Sequence, residues 1–263
     1  MSASPWKIYD DLIDLVPQEA RATRILVGGV VVVCSDDGGC GIAARQRGGP
    51  RVPASQRPEV GARLRDVAAG VRSWDLELAS IGAAALTCAL NTPARVAPFA
   101  AGHDQGDAFT RRADELAGRR VVMVGHFDRA ARTLRGACDL TILERDPHGE
   151  DLPDPACEYV LPQADTVFLT GMTVANKTLP RLAALSAGAT TILTGPSSPF
   201  APEAFAGILD EIDGSVVADP ARVVDLVARG AWLRELHPVL QRFAAPLGRG
   251  PRAADPAPGG DRR

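Results

Sequence analysis

Lysine is almost absent from this chain, although the chain is rich in charge. Of its 29 basic residues only Lys7 and Lys177 are lysines, so 27 are arginines. A composition so rich in arginine and alanine is typical of a GC-rich coding sequence, and in such a chain a lysine is a candidate for a specific role. Lys177 lies in a polar stretch, TGMTVANKT, which strengthens that interpretation.

The sequence also lacks the features of membrane-bound, secreted and nucleic-acid-binding proteins. It has no apolar run long enough to span a bilayer, and MSASPWKIYDDL is unlike a secretory signal. The five cysteines form no C-x-x-C pair, which indicates reduced thiols. A net charge of −3 provides no basic field for nucleic acid or anionic lipid. We therefore expect a cytoplasmic protein whose partner is a small molecule.

Familiar catalytic and metal-binding motifs are missing as well. The chain contains no G-x-S-x-G, P-loop or H-E-x-x-H sequence. Cys34 and Cys40 are too far apart for a zinc knuckle and have no nearby histidine. The SDDGG between them lacks the length and terminal glutamate of an EF-hand loop, so a hairpin turn explains it better. The sequence predicts no clear metal site.

Residues 1–105 predict a small α+β domain. The apolar run Ile25 to Cys34 predicts one strand, and residues 41–44 predict a second strand that returns from the SDDGG turn. Helices are predicted over VGARLRDVAAGVRSW and ELASIGAAALTCALN.

Residues 106–245 predict a second, Rossmann-like domain. Apolar strands alternate with helices there, which favours a doubly wound parallel sheet, and residues 246–263 predict a disordered tail. The predicted strands cover 121–124, 140–143, 159–161, 166–170, 190–194 and 215–217, and the predicted helices 129–135, 177–187, 202–210 and 220–229.

The loop after the first of these strands indicates the kind of ligand. In VVMVGHF, Gly125 is followed by His126 and Phe127, where a dinucleotide fingerprint would supply further glycines. Glu144 follows 19 residues later, where a carboxylate can bind ribose hydroxyls, or can simply pair with Arg145 at the surface. The pattern disfavours NAD and favours S-adenosylmethionine or a related nucleoside. The predicted cofactor-binding residues are Gly125, Phe127, Glu144, Arg145, Leu161, Thr170 and Gly171.

The loops after the fourth and fifth of these strands, TGMTVANKT and GPSSP, predict the substrate site together with His126. His126 is a candidate general base, metal ligand or ordinary loop histidine. A helix starting near Ala175 would direct free N–H groups at an anion, with Lys177 adding charge or acting as an acid or nucleophile. In the alternative interpretation these residues have only a structural role: Thr173 caps that helix and Lys177 is solvated. The predicted substrate-binding residues are Ser80, Thr173, Asn176, Thr178, Gly195 and Ser197.

Several stretches together resemble the heavy-metal chelation family across residues 5–240: WKIYDDLIDLVP, SWDLELASIGAAALTCALNTP, VVMVGHF, LTILERDP, DLPDPACEYVLPQAD, NKTLPRLAAL and GPSSPFAPEAF with GSVVADP. The resemblance implies an enolase N-terminal-like domain before the Rossmann-like one, with a site in the cleft between them. It also implies a role in making or handling metal-chelating small molecules related to pterins, flavins or siderophores. Carried over by motif, the cleft residues are His126, Glu144, Asn176, Lys177, Ser197, Asn91 and Ser80.

Two hypotheses follow. The first is a small-molecule enzyme of metallophore or related natural-product biosynthesis that binds a nucleoside-type cofactor and a carboxylate substrate, with His126, Lys177 and Asn91 as catalytic residues. Asn91 would reach the neighbouring domain or merely cap its helix. The second is a non-catalytic metal or metal-chelate binder that uses His126, Cys34 and Cys40, which the absence of clustered soft ligands disfavours. The sequence determines neither the type of reaction nor whether the protein forms a homodimer.

Overall fold

The computed structural model describes residues 4–100 and 106–248. Within those ranges no helix is both long and apolar enough to cross a membrane. The predicted tail lies mostly outside the described residues, from 249 onwards, and Pro246 belongs to the last strand rather than to a tail.

The N-terminal part is built on a three-stranded antiparallel sheet. Its strands follow one another in the order β1-β2-β3. The elements are strands β1 (Ala22–Val27), β2 (Val30–Ser35) and β3 (Cys40–Ala44), and helices α1 (Lys7–Asp14), α2 (Leu64–Ala69), α3 (Leu76–Leu90) and α4 (Pro93–Val96).

The prediction of one strand from Ile25 to Cys34 is wrong. Gly28 and Gly29 form a turn there, and Val27 pairs with Val31 on the returning strand. A pair of glycines permits this tight reversal, whereas the surrounding β-branched residues favour extended backbone on either side. The apolar run is therefore two strands of a meander.

Helix α3 confirms the predicted helix and covers one face of this sheet. The Asp75 side chain caps its start by accepting hydrogen bonds from the amides of Glu77 and Leu78. All of its residues from Glu77 to Leu90 are buried. Gly41 of β3 allows the close approach, because a Cβ at that position would lie 2.0 Å from the Cys88 amide nitrogen. Small side chains thus bring helix and sheet backbones together.

The second part contains a seven-stranded sheet in the order β10-β9-β8-β7-β4-β5-β6. Its elements are strands β4 (Arg120–Val124), β5 (Asp139–Glu144), β6 (Leu152–Pro153), β7 (Thr166–Thr170), β8 (Thr190–Thr194), β9 (Glu211–Val217) and β10 (Leu240–Pro246), and helices α5 (Ala108–Arg111), α6 (Ala113–Leu116), α7 (Asp128–Leu134), α8 (Cys157–Val160), α9 (Met172–Ala175), α10 (Leu179–Leu185), α11 (Pro202–Phe205), α12 (Pro220–Ala228) and α13 (Leu233–Leu236).

All pairings in this sheet are parallel except that of β10 with β9. Counted within the domain, the six parallel strands follow the order 3-2-1-4-5-6 of the doubly wound dinucleotide-binding fold. The predicted Rossmann-like fold is confirmed. The topological switch point, where this fold places its ligand, lies between β4 and β7.

Two local predictions are wrong, and one strand was missed. Residues 159–161 are helical rather than extended. The third strand of this domain is β6, which the sequence pattern did not predict because the strand has two residues and one of them is proline. The helix predicted from Lys177 begins at Leu179, and Ala175 ends the preceding helix. The edge strand β10 was not predicted, since its sequence, LQRFAAP, alternates poorly.

One buried apolar cluster runs through both parts of the chain. It includes Val33 and Leu86 from the first part and Val174 and Phe205 from the second. A shared core of this kind holds the two sheets in a fixed relation. It therefore fixes the shape of the cleft between them.

Candidate functional site

A large cleft opens at the carboxyl ends of the parallel strands. Its volume is about 2020 Å³, more than the roughly 300–1,000 Å³ that a single small ligand occupies. The N-terminal part closes one side through Ala44, Arg45 and Gln46. Nine arginine and lysine residues and six aspartate and glutamate residues line it. Basic side chains therefore outnumber acidic ones along the lining of the cleft.

The loops after β4 and β8 each contain a glycine with left-handed backbone. Gly125 has φ of 97° and Gly195 has φ of 104°, which side-chain-bearing residues rarely adopt. The Phe127 ring lies against both, about 3.7 Å from where a Cβ would stand on each glycine. In a dinucleotide-binding loop, further glycines would leave this space open. Here the Phe127 side chain occupies it and presents an aromatic edge to the cleft.

His126 and Asp151 form a hydrogen-bonded pair at the cleft wall. The distance between His126 Nδ1 and Asp151 Oδ2 is 2.8 Å. The Asp151 side chain is 1% exposed and that of His126 is 27% exposed. In the tautomer with the proton on Nδ1, Asp151 accepts this hydrogen bond and Nε2 is the basic nitrogen. The pair has the arrangement of a general base held by a carboxylate.

Glu144, at the end of β5, binds the backbone of the same loop. Its Oε2 accepts a hydrogen bond from the His126 amide at 2.9 Å and its Oε1 one from the Arg145 amide at 2.7 Å. The Arg145 guanidinium pairs with Asp154 instead. Each carboxylate oxygen retains a lone pair for a further donor, such as a ribose hydroxyl. Glu144 thus links the histidine loop to the predicted ribose position.

Lys177 lies in the turn between α9 and α10 with φ of 65°, the one residue other than glycine with positive φ within residues 4–100 and 106–248. Its ammonium donates hydrogen bonds to the carbonyls of Ser73 and Ala175. It also lies 5.3 Å from the centroid of the Trp74 ring. Burial, reinforced by the charge of Arg145, lowers the pKa of Lys177 to about 8. Lys177 therefore loses its proton more readily than an exposed lysine does.

A second acidic group lies at the far end of the cleft. Asp213 of β9 is 4% exposed, and its Oδ1 accepts a hydrogen bond from the Thr194 hydroxyl at 3.4 Å. Burial raises the pKa of Asp213 to about 6, against the opposing charge of Arg111, whose guanidinium is 2.7 Å from Oδ2. Asp213 can therefore carry a proton near neutral pH.

The structure brings most of the predicted site residues to one cleft. Gly125 and His126 face the loops of the neighbouring strands there, which is the juxtaposition expected for a parallel sheet. The predicted residues that line the cleft are Gly125, His126, Phe127, Glu144, Arg145, Thr170, Thr173, Asn176, Lys177, Thr178, Gly195 and Ser197.

Four predicted site residues lie behind the cleft wall. The Asn91 amide donates to the carbonyls of Ser198 and Ser215 and accepts from the Phe200 amide. Asn91 caps α3 and also reaches the neighbouring domain, so both predicted alternatives hold. Ser80 is buried, and its hydroxyl accepts a hydrogen bond from the Gln46 amide at 2.9 Å and donates one to the Leu76 carbonyl at 2.8 Å. The other two are buried packing residues: Leu161 and Gly171.

The sequence interpretation missed two acidic residues and an aromatic one. Asp151 is separated from His126 by 25 residues, and only the strand order brings β6 beside β5 and beneath the histidine loop. Asp213 lies inside a strand rather than after it. Trp74 lies beside Lys177, and this large apolar side chain is 58% exposed.

The predicted anion site at a helix start near Ala175 is wrong, since Ala175 ends α9. Asn176 instead accepts hydrogen bonds from the amide and hydroxyl of Thr178, which orders the turn before α10. Positive charge at this point of the cleft comes from the side chains of Lys177, Arg145 and Arg181.

The residues present do not form a conventional metal cage. In the described part of the chain, no group of three or more His, Cys, Asp or Glu side chains could hold a metal ion. A stable site for a divalent transition metal requires about four ligands.

The fold and the site together define an α/β protein with a doubly wound, mostly parallel sheet and a cleft at the carboxyl ends of its strands. Two family profiles match the chain, at residues 9–90 (DUF4213) and 107–244 (DUF364), and both are described as "Putative heavy-metal chelation". The chain belongs to this family.

Solved structures give the same result. A DUF364 protein of unknown function from Desulfitobacterium hafniense is 34% identical, with a TM-score of 0.83, and the match covers 92% of this chain and 98% of that one. A second, from Pyrococcus horikoshii, is 16% identical with a TM-score of 0.72, over 92% and 99% of the two chains. At that identity it supports the fold alone. No curated protein matches the chain by sequence.

Proposed function

We propose that this protein is an enzyme that acts on a small anionic molecule with a nucleoside-type cofactor, of which S-adenosylmethionine is the first candidate. The observation that carries this proposal is Glu144, whose carboxylate fixes the His126 loop at the switch point between β4 and β7. Glu144 thereby connects the proposed cofactor position with His126, the candidate base.

The residues of the β4 end fit a nucleoside. Gly125 permits close approach, the lone pairs of Glu144 can accept ribose hydroxyls, and Phe127 offers an aromatic surface for the base. When bound, S-adenosylmethionine supplies an electrophilic carbon beside a sulfonium. The size of the cleft leaves room for a second molecule next to it.

The protein's own groups then have distinct roles. His126 Nε2 can take a proton from the substrate, since Asp151 holds the Nδ1 proton and stabilises the imidazolium that forms. Lys177 and Arg145 can bind a substrate carboxylate. Such a substrate agrees with a role in metallophore or related biosynthesis, because chelating molecules commonly carry carboxylates.

The test is calorimetric titration of the metal-free protein with S-adenosylmethionine and, in parallel, with zinc and nickel. We expect micromolar nucleoside binding that Glu144→Ala weakens by about tenfold or more, as for loss of hydrogen bonds to a charged group. Glu19→Ala, an exposed glutamate of the first domain, is the matched control and should bind like the unchanged protein. Stoichiometric metal binding without nucleoside binding would favour the metal-handling alternative and end this proposal.

A further inference from the structure

Two cysteine thiols face each other across the hairpin of β2 and β3. Cys34 and Cys40 are directly opposite in the antiparallel register, and their sulfur atoms are 3.6 Å apart. The Ser35 amide donates to the Gly39 carbonyl, so the next pair outward, Cys34 with Cys40, is a non-hydrogen-bonded pair. Side chains come closest at such pairs. The distance between the two Cα atoms of such a pair lies in the range that a disulfide spans.

The surroundings distinguish the two sulfurs. Cys34 is partly exposed and lies opposite Arg24 of β1, whereas Cys40 is buried. The hydrogen bond with Cys40, with help from the charge of Arg24, lowers the pKa of Cys34 to about 7. The same hydrogen bond and burial raise the pKa of Cys40. Cys34 is therefore the nucleophilic member of the pair, and Cys40 holds its proton beside it.

The remaining cysteines lack this arrangement. Cys88 is buried, its sulfur is 3.3 Å from the Ser35 hydroxyl, and burial raises its pKa to about 12. Burial also raises the pKa of Cys138 and Cys157. Two thiols alone fall short of a metal cage, and no third ligand joins them in the described part of the chain. The chemistry that the pair supports is thus thiol–disulfide exchange.

We propose that Cys34 and Cys40 are a redox site at which a low-molecular-weight disulfide, such as oxidised glutathione, forms a reversible intramolecular disulfide. The Cys34 thiolate attacks one sulfur of the glutathione disulfide, whose S–S bond breaks and releases one glutathione thiolate. Cys40 then gives up its proton to the released thiolate or to solvent, and its sulfur displaces the second glutathione from Cys34. Two protein thiols are oxidised, and one disulfide is reduced to two thiols.

The test uses the full-length reduced protein, exposed at pH 7 to oxidised glutathione under nitrogen, then alkylated, digested and mapped by mass spectrometry. We expect a Cys34–Cys40 cross-linked peptide that dithiothreitol reverses. Cys34 should react about five- to tenfold faster than Cys138 or Cys157, because its larger thiolate fraction outweighs its lower intrinsic nucleophilicity. Retention of glutathione on Cys34 without a cross-link, or equal rates at the three positions, would overturn the proposal.

Single variants identify the order of attack. Cys40→Ser should keep one glutathione on Cys34, whereas Cys34→Ser should leave Cys40 unmodified. Cys157→Ser is the matched control and should form the cross-link as the unchanged protein does. If Cys34 fails to trap glutathione in the Cys40→Ser variant, the assignment of Cys34 as attacking thiol is wrong. The wild-type map decides the proposal even if a variant does not fold.

Discussion

The His126 imidazole and the Asp151 carboxylate are 2.8 Å apart, and the carboxylate is almost completely buried. Asp151 Oδ1 has no hydrogen-bond partner among the described residues, so its interaction with His126 through Oδ2 is the main compensation for its burial. The two residues therefore depend on each other. The pair orients the imidazole ring with Nδ1 towards Asp151.

Asp151→Ala should abolish the tautomer preference of His126. In the unchanged protein we expect the neutral ring to carry its proton on Nδ1, because that nitrogen lies 2.8 Å from the buried Asp151 carboxylate. Two-bond ¹H–¹⁵N correlation spectra at pH 8 distinguish the tautomers by the ring nitrogen shifts.

The matched control for that experiment is Asp128→Ala. The Asp128 carboxylate is 3.6 Å from His126 Nε2 but is 82% exposed, so solvent screens it. The tautomer should not change in this variant. A proton on Nε2 in the unchanged protein would contradict the assignment of Nε2 as the base.

The sequence predicted the central strands of the sheet that carries the site. Strands β4, β7 and β8 are five residues long, contain adjacent apolar residues and are each followed by a glycine, and their positions were predicted closely. The short strand β6 and the edge strand β10 were missed, because a two-residue strand and a poorly alternating one carry little periodic signal. Pairing with a neighbour, rather than local preference, makes these segments extended.

Asn91→Ala should destabilise the fold rather than alter catalysis. The amide is 3% exposed and binds three backbone groups of the second part, at Ser198, Phe200 and Ser215. Removing it leaves these buried groups without a partner, at a cost of about 3 kcal/mol. Urea unfolding measures the loss.

Asn176→Ala is the comparison for that measurement. Asn176 is partly exposed, lines the cleft and accepts hydrogen bonds only from Thr178, as far as the described residues show. Its removal should cost less than about 1 kcal/mol. Equal losses for the two variants would show that Asn91 is not a structural link between the domains.

Asp213→Asn should change how stability depends on pH. The folded-state pKa is about 6, against an ordinary value of 3.8, so between these values the folded chain binds a proton that the unfolded chain has lost. The contribution of Asp213 is present below pH 3.8 and is lost as the pH rises through 6. The variant should therefore gain stability relative to the unchanged protein between pH 4 and 7, as measured by urea unfolding. The exposed Asp139→Asn control should show no such trend, and a parallel pair of curves for Asp213→Asn would refute the shifted pKa.

The site itself was only partly predictable. Residues that follow strands, such as Gly125, His126 and Glu144, were found because the carboxyl-end rule needs only strand positions. Asp151 and Trp74 were missed, since their proximity to His126 and Lys177 depends on strand order and domain packing. The role of Asn91 in the interface follows from the same packing. Long-range contacts of this kind leave no pattern in one sequence.

Lys177 should titrate with a midpoint of about 8, well below the ordinary lysine value of 10.5, because burial and the neighbouring Arg145 disfavour its charge. Between pH 8 and 10.5 the unfolded chain then binds a proton that the folded chain lacks, so stability gains from Lys177 as the pH rises through this window. Protein labelled with ¹³C- and ¹⁵N-lysine gives only two side-chain signals, from Lys7 and Lys177. The Lys7→Arg variant assigns them, and Lys7, whose side chain is 63% exposed, is the internal reference. A Lys177 midpoint near 10.5 would show that the amine remains charged at neutral pH, which would contradict the lowered pKa and favour a role as carboxylate ligand.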